Sequence, residues 1–351
     1  MPKPLTPILL ALITATTAHA ERLSRDDLLL YHNADGTTAH ATTPAQWEQR
    51  RAEVLKGMQE VMGPLPGAEK RCDLDLKVEE ETDCGTYTRQ LITYAAEPSA
   101  RVPAYLCIPK SASPDKPAPA ALCLHPTDNN IGHKVVVGLG GKEHRQYAQE
   151  LTERGYVTLS PSYVQLASYN PDWKALGYAS GTMKAIWDNI RGLDLLDSLP
   201  YVKHGAYAAI GHSLGGHNSI YTAVFDPRIK VIVSSCGFDS FVDYYHGNIK
   251  GWTQDRYMPR MTNYLGHAQD VPFDFYELIA ALAPRPVFIN APLRDSNFQW
   301  QSVDRIVTAA APVYQLLGAE GKVKVMHPNT EHDFSDEPRM EAYRFIDSIL
   351  K

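Results

Sequence analysis

The sequence predicts an α/β fold, a mostly parallel central sheet with helices on both faces and antiparallel strands at its N-terminal edge. Three observations predict it. From Pro117 onward, short apolar runs alternate with helical stretches, as in successive β-α-β units. Those runs are apolar almost throughout, which suits strands covered on both sides. Before Pro117 the strand-like runs follow one another with only turn signals between them, the pattern of antiparallel neighbours.

The elements can be justified in order. In residues 43–62, TPAQWEQRRAEVLKGMQEVM, Thr43 can cap a helix and Pro44 suits its first turn. Trp47, Val54, Met58, Val61 and Met62 recur at helical spacing, and GPLPG ends the run. DLDLKVEEE, YTRQLITYAA and VPAYLCIPK then read as edge strands. PAALCLH, a helix near 145–154, YVTLSPS and a helix over 182–199 come next. AYAAIGHS leads into a helix after Ser213, and KVIVSSC and PVFINAP follow. A helix near 303–317, KVKVMHP and a last helix near 338–350 complete the chain. No internal repeat or low-complexity tract interrupts it.

Composition bounds the function. The chain has 351 residues, a net charge of -6 and 44% hydrophobic residues, enough for one large domain or two small ones. Mild acidity without a basic block argues against a nucleic-acid partner, and after the N-terminus no apolar run is long enough to span a bilayer. Oligomeric state is left open. Residues 1–20, MPKPLTPILLALITATTAHA, carry one lysine, an apolar stretch and small residues at Ala18 and Ala20, the pattern of an export signal cleaved near Ala20. That implies a periplasmic or extracellular protein. The five cysteines are an odd number. Cys107 and Cys123 lie in strand-like runs and read as buried thiols, while Cys72 and Cys84 could pair.

GHSLGG, Gly211 to Gly216, places a serine between glycines where a strand passes into a helix. A tight elbow there would expose Oγ, and glycines leave it room. Active groups of open α/β sheets lie beyond the carboxyl ends of strands. Ser213 follows one strand, Asp295 in LRDSNF follows another, and His332 in NTEHDF follows a third. Taken singly, the last two would read as a turn former and a loop histidine; together in this order they read as a triad. Ser213 would be the nucleophile, His332 its base and Asp295 the group that orients the imidazole. Asp239, in CGFDSF after the preceding strand, competes for the acid role, and Asp333 is badly placed for it. The oxyanion donors would be the N–H of Leu214 and that of Thr127, with His125 shaping the loop LHPTDNNIGHK. Base and donors are all protein groups, so no metal and no cofactor is expected.

GHSLGG, the strand-end aspartate, EHDF and LCLHPT together resemble the α/β-hydrolase superfamily. The resemblance is nearest to secreted dienelactone-hydrolase and acetyl-xylan-esterase-like enzymes and covers roughly residues 100–351. It implies a Ser-Asp-His triad without a metal. Two departures bear on substrate: dienelactone hydrolases proper use a cysteine where Ser213 stands, and Leu214 replaces the glutamine common in acetyl xylan esterases.

The expected organisation is a signal peptide over 1–20, a helical segment and edge strands over 21–100, and a catalytic domain over 101–351. An aromatic-rich insertion over 237–281 could roof the serine. Most of its rings should pack inward, but Trp252 and Tyr257 could stack on sugar rings, with His125 as a third substrate contact. Arg256 and Arg260 could meet a carboxylate, though surface arginines usually do not. The favoured activity is hydrolysis of carboxylic esters of carbohydrates or related small molecules. A glucuronoyl esterase and a prolyl-oligopeptidase-like peptidase are alternatives, as is an inactive hydrolase fold used for binding. The roughly 100 residues before the core are too few for the propeller such peptidases carry.

Overall fold

The computed structural model describes residues 22–351, so the export signal expected over 1–20 lies outside the described residues. A small hairpin of β1 (Leu30–His32) and β2 (Thr38–His40) precedes α1 (Pro44–Met62). The helix starts where its sequence says: Thr43 accepts from the Gln46 N–H, and the Gln46 side chain returns to the Thr43 N–H.

The main sheet has nine strands. The first four are β3 (Lys77–Asp83), β4 (Tyr87–Glu97), β5 (Ala100–Pro109) and β6 (Ala118–Leu124). Next come α2 (Tyr147–Glu153), β7 (Val157–Pro161), α3 (Gly181–Ser198), β8 (Val202–His212), α4 (Leu214–Phe225) and β9 (Ile229–Ser235). After a long segment with short 3₁₀ turns follow α5 (Phe275–Leu282), β10 (Val287–Asn290), α6 (Trp300–Leu316), β11 (Val323–Met326) and α7 (Asp336–Leu350). The strand order is β11-β10-β9-β8-β6-β7-β5-β4-β3. β6 to β11 run parallel, and β3, β4 and β5 continue the sheet antiparallel, β5 pairing with β7.

The pleat sorts side chains into two cores. Leu106, Ala120 and Leu122 face the side covered by α1, α3, α4, α5 and α6, while Tyr105, Cys107, Ala121 and Cys123 face α2 and α7. The residues expected to form helices and strands do so, with ends shifted by a few residues. The β1–β2 hairpin and α5 were not foreseen. Cys72 and Cys84 are free, as are the other three cysteines, so that pair forms no disulfide. No helix among the described residues is long and apolar enough to cross a membrane.

Candidate active site

β8 ends at His212 and α4 begins at Leu214, so Ser213 alone turns the chain. Its φ of 55° and ψ of −119° lie in a region L-residues rarely adopt, a strain of about 1–3 kcal/mol. The strain is held by the Ser213 N–H, which donates to the Ser235 carbonyl at 2.8 Å. The glycines have steric causes. A Cβ on Gly211 would sit 2.2 Å from Gly215, and one on Gly215 would sit 1.9 Å from the Leu124 carbonyl oxygen and 3.1 Å from that of His125. The first turn of α4 is thereby pressed against the end of β6, next to the loop that carries Thr127. The Leu214 N–H belongs to that first turn, where helix geometry supplies no partner.

Asp295 and His332 meet. The imidazole Nδ1 lies 2.9 and 3.0 Å from the two carboxylate oxygens, and the Asp295 side chain is only 2% exposed. With Nδ1–H donating there, Nε2 is the lone-pair nitrogen. The backbone N–H groups of Asn297 and Phe298 donate to Oδ1 of Asp295 and fix the carboxylate. The His332 ring is also gripped by His212, edge-on with centroids 4.8 Å apart, and by Phe298 at 6.0 Å. Burial pushes His212 well below the ordinary histidine range, with Arg145 and His332 adding to the effect, so it stays neutral beside His332.

Asp239 does not reach His332. Its Oδ2 accepts from the Gln299 N–H and its Oδ1 is buried without a partner. Burial raises its pKa to about 8, so at neutral pH it is mostly the neutral acid, unfit to orient an imidazolium. Asp333 is turned away too: it receives His144 Nδ1 at 2.7 Å and Arg145 Nη1 at 2.6 Å. Arg145 also donates to the His332 carbonyl, so one buried guanidinium ties down the loop that carries His332. Sequence reading missed this clamp, because 187 residues separate Arg145 from His332.

Two expected substrate contacts, Trp252 and His125, are buried. Trp252 is 5% exposed and packs against His217, Phe241, Tyr244 and Phe275, so it offers no free face. His125 is buried: its Nδ1–H donates to the Pro126 carbonyl and its Nε2 accepts the Tyr163 N–H. Burial lowers its pKa to about 4, and it braces the loop rather than facing the cleft. Tyr257 is half-buried, its hydroxyl 2.9 Å from the exposed Thr127 hydroxyl, which links the insertion to the loop after β6. Arg256 bonds Asn129 and Gln254, and Arg260 bonds the Glu60 carbonyl.

Cys236, Asp295 and His332 bring donor atoms within 4.8 Å of one another, a spacing a metal ion could span. Their contacts in this structure are with one another and with the backbone. Asp295 and His332 hold each other, and burial pushes the Cys236 thiol well above its ordinary pKa while it donates to the Asp333 carbonyl.

Residues 143–347, more than half of the chain, match the prolyl oligopeptidase family. The chain belongs to that family. Among its relatives is YtaP of Bacillus subtilis (strain 168), named as a hydrolase. It is 27% identical over 86% of this chain and 100% of its own length. A glucuronoyl esterase from Solibacter usitatus shares 18% identity at a TM-score of 0.73, covering 94% of this chain and 99% of that one. A promiscuous esterase of carbohydrate esterase family 15 from a marine bacterial metagenome has a TM-score of 0.74, 18% identity and coverages of 92% and 96%. Acetyl xylan esterase 1 from Thermoanaerobacterium sp. JW/SL YS485 has a TM-score of 0.55 at 18% identity, covering 85% of this chain and 99% of its own. The fold of this family member is therefore that of the α/β-hydrolases.

Proposed function

We propose that this family member is a serine hydrolase of carboxylic esters, acting on ester groups of carbohydrates. The observation that carries the reading is the Asp295–His332 pair beyond the strand ends that also present the strained Ser213. In the proposed mechanism Ser213 Oγ attacks the ester carbonyl while its proton passes to Nε2 of His332. The oxyanion is met by the N–H groups of Leu214 and Thr127. As the intermediate collapses, the alcohol leaves with the proton held by His332. Water then gives a proton to His332 and attacks the acyl-enzyme, and Ser213 recovers its proton as the acid departs. Asp295 keeps Nδ1 protonated throughout and stabilises the imidazolium.

The esterase reading is favoured over peptidase action by how the N-terminal residues are used. Residues 22–109 form the hairpin, α1 and three strands that widen the catalytic sheet, with no propeller among the described residues. The carbohydrate esterases named among the structural neighbours support the substrate class. The same reading assigns catalysis to 101–351, treats 21–100 as packed on it, and takes 1–20 as an export signal. A screen of the mature protein against acetyl, longer acyl, feruloyl and methyl-glucuronoyl esters, beside peptide anilides, tests it. Ester turnover is expected; cleavage of the anilides alone would overturn it.

A further inference from the structure

The aromatic insertion keeps one large ring in solvent, and it is not one that composition would select. Tyr245 is 53% exposed, whereas Trp252, seven residues on, is packed away. The exposure is built. Tyr245 and His246 both have left-handed backbones, with φ of 43° and 58°, and Gly247 continues at 81°. Two consecutive non-glycine residues in that region cost about 1 kcal/mol or more each. The turn leaves both Tyr245 and His246 unburied.

The ring is aimed by the acid loop. The Tyr245 hydroxyl lies 3.2 Å from Asn297 Oδ1, and the Asn297 N–H donates to the Asp295 carboxylate at 2.8 Å. A second connection is a row of rings. His332, Phe298, Tyr244 and Tyr245 follow one another with centroid separations of 6.0, 5.8 and 4.7 Å. The row begins at the base and ends on the exposed face. His246 and Gly247 of the same turn also line an open cleft of about 450 Å³, shared with the amide-bearing Asn248 and Gln269. An aromatic face beside amide groups suits a pyranose, whose axial C–H groups stack on a ring while its hydroxyls seek donors and acceptors.

We propose that the 245–247 turn is a carbohydrate subsite, with Tyr245 as the stacking platform for a pyranose ring of the substrate and the adjoining cleft taking the next sugar. This rests on the carbohydrate-esterase reading above. Tyr245→Ala and Tyr245→Phe should be compared with wild type on 4-nitrophenyl acetate and on acetylated and methyl-glucuronoyl xylo-oligosaccharides. Tyr245→Ala is expected to raise KM for a sugar ester about five- to tenfold with kcat little changed. The loss on 4-nitrophenyl acetate, which carries no sugar, should be clearly smaller than that on the sugar esters, and Tyr245→Phe should keep most of the effect of the ring. Equal losses on both kinds of ester, or none on either, would overturn the subsite. A binding arm separates this from the catalytic reading: Ser213→Ala protein is titrated by NMR with xylotriose and with methyl glucuronoside, with and without Tyr245→Ala. Saturable binding of either sugar that Tyr245→Ala weakens supports the subsite even if no ester is turned over. Binding unaffected by Tyr245→Ala, or no binding of either sugar, contradicts it.

Discussion

His332 holds Asp295 by a single ring nitrogen shared between both carboxylate oxygens, at 2.9 and 3.0 Å, while Asp239 one strand earlier bonds only a backbone N–H. The two aspartates lie close enough to repel when charged, and burial already keeps Asp239 largely neutral. Asp295→Asn is therefore expected to cut kcat by on the order of 10⁴, because the imidazole loses the acceptor that fixes its tautomer. Asp239→Asn should leave kcat within a few-fold of wild type. Steady-state kinetics of the two variants on one ester check this; the reverse ranking would show Asp239 to be the acid.

Asp239 also predicts a pH dependence of stability. Its pKa rises from 3.8 to about 8 on folding, so between those values the folded state holds a proton that the unfolded chain has lost. Stability from this group is thus greatest below about pH 4 and is lost as pH climbs toward 8. Asp239→Asn removes the titration. Relative to wild type the variant should gain stability steadily from pH 4 to pH 8 and then level off, the gain limited to about 1.4 kcal/mol per unit. Denaturant melts of both proteins across that range are the measurement. A constant difference would mean that Asp239 is ionised in the folded protein.

Gly215 separates the elbow from the loop after β6. A methyl group there has no room beside the Leu124 carbonyl, so Gly215→Ala must push the start of α4 away from β6. We expect a loss of about 1–3 kcal/mol together with near-complete loss of turnover, since the Leu214 N–H moves with the helix. A folded Gly215→Ala protein with wild-type kcat would place the oxyanion donors elsewhere.

Much of this was legible in the sequence, for identifiable reasons. The α1 start was readable because Thr43, Pro44 and Gln46 are local signals that act on their own backbone. The positions of Ser213, Asp295 and His332 beyond strand ends were readable because strand ends can be found from apolar runs; that Asp295 rather than Asp239 meets His332 is what the structure adds. The aromatic insertion was different. Its composition says that rings pack somewhere, but Trp252 in the core and Tyr245 at the surface differ by contacts to Phe241, Phe275 and Asn297 that no local pattern encodes. The Arg145 clamp on the His332 loop and the neutral His212 at its edge are likewise long-range facts.

Trp252 carries a further expectation. Packed among His217, Phe241, Tyr244 and Phe275, it holds the insertion to α4 and α5. Trp252→Ala should cost about 3–5 kcal/mol, whereas Trp252→Phe should fold and keep KM for sugar esters unchanged. A selective rise in KM in Trp252→Phe would return Trp252 to the role of a sugar platform.

The central claim is that Ser213 forms the acyl-enzyme, and covalent labelling tests it most directly. A fluorophosphonate probe should modify the wild-type protein once, with the adduct found on Ser213 by peptide mass spectrometry. Labelling and ester turnover should both vanish in Ser213→Ala while the fold persists, and labelling should fall sharply in His332→Ala. An adduct on another residue, or ester hydrolysis that survives Ser213→Ala, would contradict the account.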